Sequence, residues 1–416
     1  MSWKEFKLDD LIKIKHGYAF KGEYFSDETT TDILVTPGNF LIGGGFKHDK
    51  LKYYKGPILK DYILKKNDII VTMTDLSKQA DTLGFSARVP AIDNCTLLHN
   101  QRIGLLQLKD IDFDLDFIYW LMRTEEYQKF VAGSATGSTV KHTSPTKICA
   151  YKFYAPSNIS TQKHIASILS VYDDLIENNL KRIKLLEELS QRTYEEWFVK
   201  YRIHGEQLEV GENGLPDGWE RKKFKETLVF KTGKLDSNAM VDNGSFDFYT
   251  CSKEIYKTNT YCFEGEAILL GGNNATGNFS LFYANSKFDA YQRTYIVTSK
   301  SNEIPLVYVY YVLKNLLPQF QNVSSGAATK FLTMRILDAT EIIIPNEKYL
   351  INYLKIVKPM FDKIINLQNQ NRLLKESRDI LLPRLMSEKI GVGEIEKARN
   401  ESLKMVAEPR EAYSKE

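Results

Sequence analysis

Six histidines (His16, His48, His99, His142, His164, His204) and four cysteines (Cys95, Cys149, Cys251, Cys262) are the residues of this 416-residue chain best suited to metal binding or nucleophilic chemistry. Their spacing argues against both. No His-x-x-x-His or Cys-x-x-Cys pair is present, so no metal site is expected. Unpaired cysteines give no disulfide framework and suit a reducing compartment. Gly272-Asn273-Asn274-Ala275-Thr276-Gly277 is the nearest approach to a phosphate loop, but Asn278 stands where the lysine should be, and the segment reads as a loop. Asp112, Asp114 and Asp116 alternate like the start of a calcium loop without the required glycine, and read as a solvated turn with helix-capping acids. No catalytic residue can be assigned, and the polar side chains left to work with are donors in glycine-rich loops and at strand ends.

The elements that carry those loops occur twice. Trp3-Lys4-Glu5-Phe6-Lys7-Leu8 through Gly17 aligns without a gap on Trp219-Glu220-Arg221-Lys222-Lys223-Phe224 through Gly233. In the same order His99-Asn100-Gln101-Arg102 matches Ala290-Tyr291-Gln292-Arg293, Phe117 to Met122 matches Tyr308 to Leu313, Gly137 to Lys141 matches Gly326 to Lys330, and Leu185 to Glu188 matches Leu373 to Glu376. A repeat of nearly half the chain is too long for a solenoid unit and predicts two homologous halves, each able to bury its own core. Short runs rich in Ile, Val, Tyr and Phe, such as Asp68-Ile69-Ile70-Val71-Thr72, predict strands, and Phe117–Phe130 carries helical spacing.

A long helix follows each half. Ile165, Leu169, Tyr172, Ile176, Asn179, Ile183, Leu186, Ser190, Thr193 and Trp197 form one seam stepping by four and three, with a helix from Gln162 to about Tyr201. Val357, Met360, Ile364, Leu367, Asn371, Leu374, Arg378, Leu381 and Leu385 form the second. Two seams of one type predict that the helices pair with each other, with an asparagine in each fixing register at some cost in stability. Pro359 and Pro383 predict a start or kink and a bend in the second helix.

The expected division is a globular domain over 1–158, a spacer helix over 159–204, a linker over 205–218, a second globular domain over 219–346, a second spacer helix over 347–390 and a mobile tail over 391–416. The fold class is α+β, with two similar α/β globular domains separated by two long helices that pair as an antiparallel coiled coil. No segment approaches the roughly 18 apolar residues of a membrane span and the start lacks a signal sequence, so a cytoplasmic protein without membrane contact is expected. Net charge is +2 over 1–159, 0 over 160–205, −2 over 206–346, +4 over 347–390 and −1 beyond, within a total of +3. A chain this close to neutral can hold nucleic acid only through local patches or a partner's charge.

The alternation of globular unit and long helix, the two Trp openings, the Gln101-Arg102 and Gln292-Arg293 pairs, and Pro156 and Pro345 closing each globular unit resemble the specificity subunits of type I restriction-modification systems. Asp173 to Asn179, Tyr194-Glu195-Glu196-Trp197-Phe198 and Ser377 to Leu385 add to the likeness, which covers residues 1 to about 390; Ser387-Glu388-Lys389-Ile390 departs where relatives have Ser-Gly-Glu-Ile. The resemblance implies a non-catalytic subunit whose two target-recognition domains each read one half of a bipartite double-stranded DNA sequence, with the helices as a ruler between them. It also implies docking of two modification subunits, which supply adenine methyl transfer, and of a restriction subunit. The Asn-Pro-Pro-aromatic motif of an adenine methyltransferase is missing, so the chain itself is expected to carry no cofactor and S-adenosylmethionine to be bound by the modification subunit.

By that resemblance the DNA-binding candidates are Lys47 and His48 after Gly43-Gly44-Gly45, Thr72, Thr74 and Lys78 after the strand, Lys141 and His142 after Gly137, Asn273, Asn274 and Thr276 in the second Gly-rich loop, and Lys330. Each competes with a plainer role, since Asn and Thr in such loops often satisfy their own backbone and single lysines are usually solvated. Arg102 and Arg293, shared by two halves expected to read different sequences, suit scaffold or phosphate contact better than base choice. Base reading is expected where 36–90 and 236–285 fail to align. Tyr194, Trp197 and Phe198, read as an exposed aromatic block, and Arg384 and Leu385 are the candidate partner-docking residues. The alternative reading is a coiled-coil scaffold with two protein-binding domains.

Overall fold

The computed structural model describes residues 2–48, 51–75, 77, 79–109, 112–241, 243–301, 304–326 and 328–387. Lys78, residues 388–390 of the expected second helix and the expected tail over 391–416 lie outside the described residues. Two compact units divide the chain, one of residues 1–179 with 369 onward and the other of 180–368, so each combines one globular body with part of both long helices.

In the first unit Ile12–His16, Ile103–Leu108, Ile69–Thr72 and Ser86–Arg88 lie side by side in that order as an antiparallel sheet. A second, five-stranded sheet holds the parallel pair Asp32–Val35 and Thr96–His99. Trp3–Lys7 pairs with Lys152–Pro156, so the Trp opening and the closing proline lie opposite each other. The region expected as one helix over Phe117–Phe130 is two, Leu115–Leu121 and Glu125–Gly133. Each has its own cap, Asp114 accepting from Phe117 N–H at 2.8 Å and Thr124 from Tyr127 N–H at 3.4 Å.

The core of this unit joins Ile12, Val71, Phe117 and Trp120 to Ile165, Leu169 and Tyr172 of the first long helix and to Leu374, Leu381 and Leu385 of the second. Asn179 Nδ2 donates to Asn371 Oδ1 at 2.9 Å, and Arg378 donates to Asp173 at 2.6 Å. The later residue of one helix thus meets the earlier of the other, so the pairing is antiparallel. Arg123, from the globular body, donates to the other oxygen of Asp173 at 2.5 Å and to Gly43 O at 3.0 Å, and its guanidinium lies 4.4 Å from the centroid of Trp120.

The second unit repeats the sheet. Leu228–Thr232, Thr294–Ser299, Phe263–Gly271 and Leu281–Ala290 lie antiparallel in the same order, and Phe246–Tyr249 and Ile255–Thr258 extend them on one side. Its helix segments are antiparallel too, with Ile183 and Leu186 packed on Ile364 and Leu367, and Ser190 Oγ 3.5 Å from Met360 Sδ. The first long helix spans Ile159–Tyr194 and ends in a π-turn over Glu195–Val199. The second begins at Glu347, not near Pro359, and runs through both prolines to Leu385. Leu350, Tyr353 and Val357, buried in the core of the second unit, anchor the turns before Pro359, and that burial offsets the hydrogen bond the proline removes. Among the described residues no helix is long and apolar enough to cross a membrane.

Candidate nucleic-acid interface

In both units the chain leaves the third strand of the sheet and enters a short ribbon. In the first, Thr74–Asp75 pairs antiparallel with Lys141–His142, Asp75 opposite Lys141 and Thr74 opposite His142. In the second, Asn273–Asn274 pairs with Lys330–Phe331, Asn274 opposite Lys330 and Asn273 opposite Phe331. The Gln-Arg turn is bonded to the base of each ribbon. Met73 N–H donates to Arg102 O at 3.0 Å and Thr143 N–H to Met73 O at 3.0 Å. The equivalents are Gly272 N–H to Arg293 O at 2.8 Å and Leu332 N–H to Gly272 O at 2.9 Å. The structure thus bonds the Arg102 backbone to the base of the ribbon that carries Lys141, and the Arg293 backbone to the base of the ribbon that carries Lys330.

Duplicated glycines permit this geometry. A Cβ on Gly17 would sit 2.1 Å from Asn100 O, and one on Gly233 1.9 Å from Ala290 O, so the strand before the turn could not approach with any side chain. At the far end of the ribbon Gly137 (φ +99°) and Gly326 (φ +114°) make the hairpin, each facing a carbonyl that a Cβ would strike. Just after Gly17 and Gly233, Tyr18 O and Leu235 O accept from Gln101 and Gln292 N–H, both at 2.9 Å. The glutamines therefore serve the turn through their backbone.

Several expected contacts are spent inside the fold. Thr72 and Thr74 are buried; Thr72 Oγ1 donates to Thr74 O at 2.8 Å, and Thr74 Oγ1 lies 3.1 Å from His142 Nδ1. Neither hydroxyl is presented to solvent, because Thr72 lies on an inner strand of the sheet, opposite Ile103, and Thr74 is covered by the returning strand. Asn274 Oδ1 accepts from Thr276 N–H at 2.9 Å, Thr276 Oγ1 at 3.0 Å and Asn278 N–H at 3.3 Å, so Asn274 and Thr276 shape their own loop. Lys47 and His48 lie on the loop after Gly45, where Lys47 N–H donates to Asn39 O at 2.8 Å and the His48 ring packs 5.2 Å from Phe46. Arg102, His142 and Arg293 are exposed and Lys141, Lys330 and Asn273 half-buried.

Asp75 was missing from the expected set. Its carboxylate accepts from Ser77 N–H and Thr82 N–H, both at 2.6 Å, and from Thr82 Oγ1 at 2.7 Å. Burial pushes its pKa up, but these donors outweigh it and hold the carboxyl below its usual value. Asp75 is the ribbon equivalent of Asn274, and the spacing Asp75-x-Ser77 against Asn274-x-Thr276 was the signal that could have found it.

The docking candidates are corrected. Tyr194, Trp197 and Phe198 are 6%, 5% and 1% exposed, with Phe198 4.8 Å from Tyr353 and 5.0 Å from Tyr308 by ring centroids. An aromatic block at a helix end is drawn into its own unit's core and leaves no free surface. Leu385 is buried in the core of the first unit, whereas Arg384 is exposed.

Among the described residues no group of three or more His, Cys, Asp or Glu could hold a metal ion. The model of the type I restriction modification DNA specificity domain matches the chain twice, over residues 1–188 and 216–375, in step with the duplication. The MjaIX specificity subunit of Methanocaldococcus jannaschii, a type I restriction enzyme subunit, is 24% identical over 308 residues, 67% of this chain and 70% of that one. The EcoDI specificity subunit of Escherichia coli is 32% identical over 141 residues, 33% of this chain and 30% of that one. In fold, the chain matches the crystal structure of a type I restriction-modification system S subunit from M. genitalium with a TM-score of 0.58 at 19% identity, over 93% of this chain and 96% of that one. Two copies of the domain, on two units built around the same sheet and ribbon, mean that this chain belongs to the type I restriction-modification specificity subunits.

Proposed function

We propose that each unit reads one half of a bipartite double-stranded DNA sequence through its ribbon edge, and that the chain catalyses nothing itself. The observation that carries this reading is the repeated bonding of a Gln-Arg turn, with its exposed Arg102 or Arg293, to the base of a ribbon that carries a lysine, Lys141 or Lys330. Two cations per unit suit phosphate contacts that seat the duplex, leaving neighbouring side chains to meet base edges. The near-neutral total charge means that partners contribute the rest of the phosphate neutralisation.

The partners in this reading are two modification subunits, which bind S-adenosylmethionine and methylate an adenine in each half-site, and a restriction subunit that completes the nuclease. Exposed Arg384 remains a candidate docking residue on the second helix. The long helices, of 36 and 39 residues, set the spacing between half-sites in this scheme. Work on genomic DNA puts the assembly in the cytoplasm. The test is binding of the chain mixed with its modification subunits to a randomised duplex pool at moderate salt. Recovery of a split motif supports the reading; recovery of no motif favours a protein-binding scaffold.

A further inference from the structure

We infer that one cross-strand pair per ribbon, Thr74 with His142 in the first unit and Asn273 with Phe331 in the second, determines which bases each half-site accepts. The inference rests on the DNA reading above and carries it to single residues. Position by position the two ribbons share most of their chemistry. Lys141 matches Lys330, Arg102 matches Arg293, and Asp75 and Asn274 both use their side-chain oxygens to fold the loop that follows. Residues that two readers of different sequences have in common cannot distinguish those sequences. The pair opposite each other at the next ribbon position is where the chemistry changes.

In the first unit Thr74 Oγ1 sits 3.1 Å from His142 Nδ1 and fixes the imidazole, whose ring belongs to an exposed residue. The second ring nitrogen has no partner among the described residues and is available to a base edge. If the threonine hydroxyl donates to Nδ1, Nε2 carries the hydrogen and suits the acceptor edge of a purine. In the second unit Phe331 can make no such bond. Asn273 Oδ1 is buried and has no hydrogen-bond partner, while Phe331 is 37% exposed with the Arg293 guanidinium 5.6 Å from its ring centroid. A turn of this half-buried side chain toward the duplex would end the oxygen's unpaired state, Oδ1 accepting from the exocyclic amino group of adenine while the amide nitrogen meets N7. The neighbouring ring offers an apolar face suited to a thymine methyl group. Two ribbons of one design thus present a polar ring in one unit and an amide beside an aromatic in the other.

The experiment uses the full chain assembled with its modification subunits and selects bound duplexes from a randomised pool. His142→Phe is expected to change base preference by about 5- to 150-fold at one position in one half-site and to leave the other half unchanged. Asn273→Ala is expected to do the same in the opposite half. His142→Gln, which keeps a polar side chain, supplies the same readout should the phenylalanine variant fail to fold. Lys141→Ala serves as the contrast and is expected to weaken binding to all sequences alike and to lower the salt dependence. Unchanged motifs in both halves, from folded and binding-competent histidine and asparagine variants, would overturn the inference while leaving the DNA reading standing. Absence of any motif from the unaltered complex would remove the DNA reading and the inference with it.

Discussion

Asp173 accepts a hydrogen bond from Arg378 at 2.6 Å, tying the first long helix to the second within one unit. Its other oxygen accepts from Arg123 at 2.5 Å, so the globular body joins the same carboxylate. By the repeat offset the equivalent positions in the second unit are Lys314, Phe361 and Ser190, where Phe361 packs on the rings of Tyr283 and Tyr310 at 4.7 and 5.3 Å. One seat is ionic and the other aromatic, so each globular body is matched to its own helix segments.

Asp173→Ala leaves two largely buried guanidinium groups without their carboxylate, and a loss of about 3–5 kcal/mol is expected in chemical or thermal unfolding. Burial pushes the Asp173 pKa up, but the charges of Arg123 and Arg378 outweigh it and hold the carboxyl below its usual 3.8. A depressed carboxylate stabilises the fold fully above its unfolded value, and that contribution disappears as pH falls through the lower folded value. The difference in stability between parent and Asp173→Ala is therefore expected to be constant near neutrality and to shrink only in strong acid.

His99 titrates in a milder range. Burial, against a backbone bond to Ile103 O that opposes it, lowers its pKa from 6.5 to about 4. The unfolded chain then binds the extra proton first, so this contribution is complete above pH 6.5 and falls as pH drops towards 4, at no more than about 1.4 kcal/mol per pH unit. Unfolding titrations of the parent and of His99→Gln should differ in slope across that window and run parallel above it.

Asn179 and Asn371 bond to each other in the seam at 2.9 Å. Changing either alone to leucine strands the other amide and should cost about 1–3 kcal/mol, whereas the double leucine variant should recover the loss or exceed the parent. Denaturation midpoints of the four proteins test this, and a double variant no better than the single ones would contradict it.

Gly233→Ala forces a Cβ to within 1.9 Å of Ala290 O, and Gly17→Ala does the same against Asn100 O at 2.1 Å. Each should displace its Gln-Arg turn and weaken recognition of one half-site. Base-by-base binding profiles of the two variants should show losses in opposite halves.

The frame of this protein was legible because repetition and periodicity are written in residue order. Trp3 and Trp219, Gly17 and Gly233, and the seam from Ile165 to Trp197 point to elements that the structure supplies. Exposure was harder to read. Trp197 and Phe198 carry the composition of a docking surface, but Tyr308 and Tyr353, more than a hundred residues away, enclose them. Thr74 likewise looks available until the strand at Lys141–His142 returns beside it, and Thr72 until Ile103–Leu108 and Ser86–Arg88 flank its strand. The helix from Glu347 begins ahead of Pro359 because tertiary burial of Leu350 and Tyr353 overrides a local breaking signal. Strand pairing over such separations cannot be deduced from local sequence, and it is the pairing that selects the ribbon residues.

The most direct measurement replaces residues 1–158 with those of a relative that keeps an arginine at the Arg123 position, and maps methylated adenines at base resolution in cells expressing the modification subunits. One half of the split motif is expected to change while the other half and the spacer stay as they were. A change in both halves, or in neither with methylation retained, would contradict that expectation.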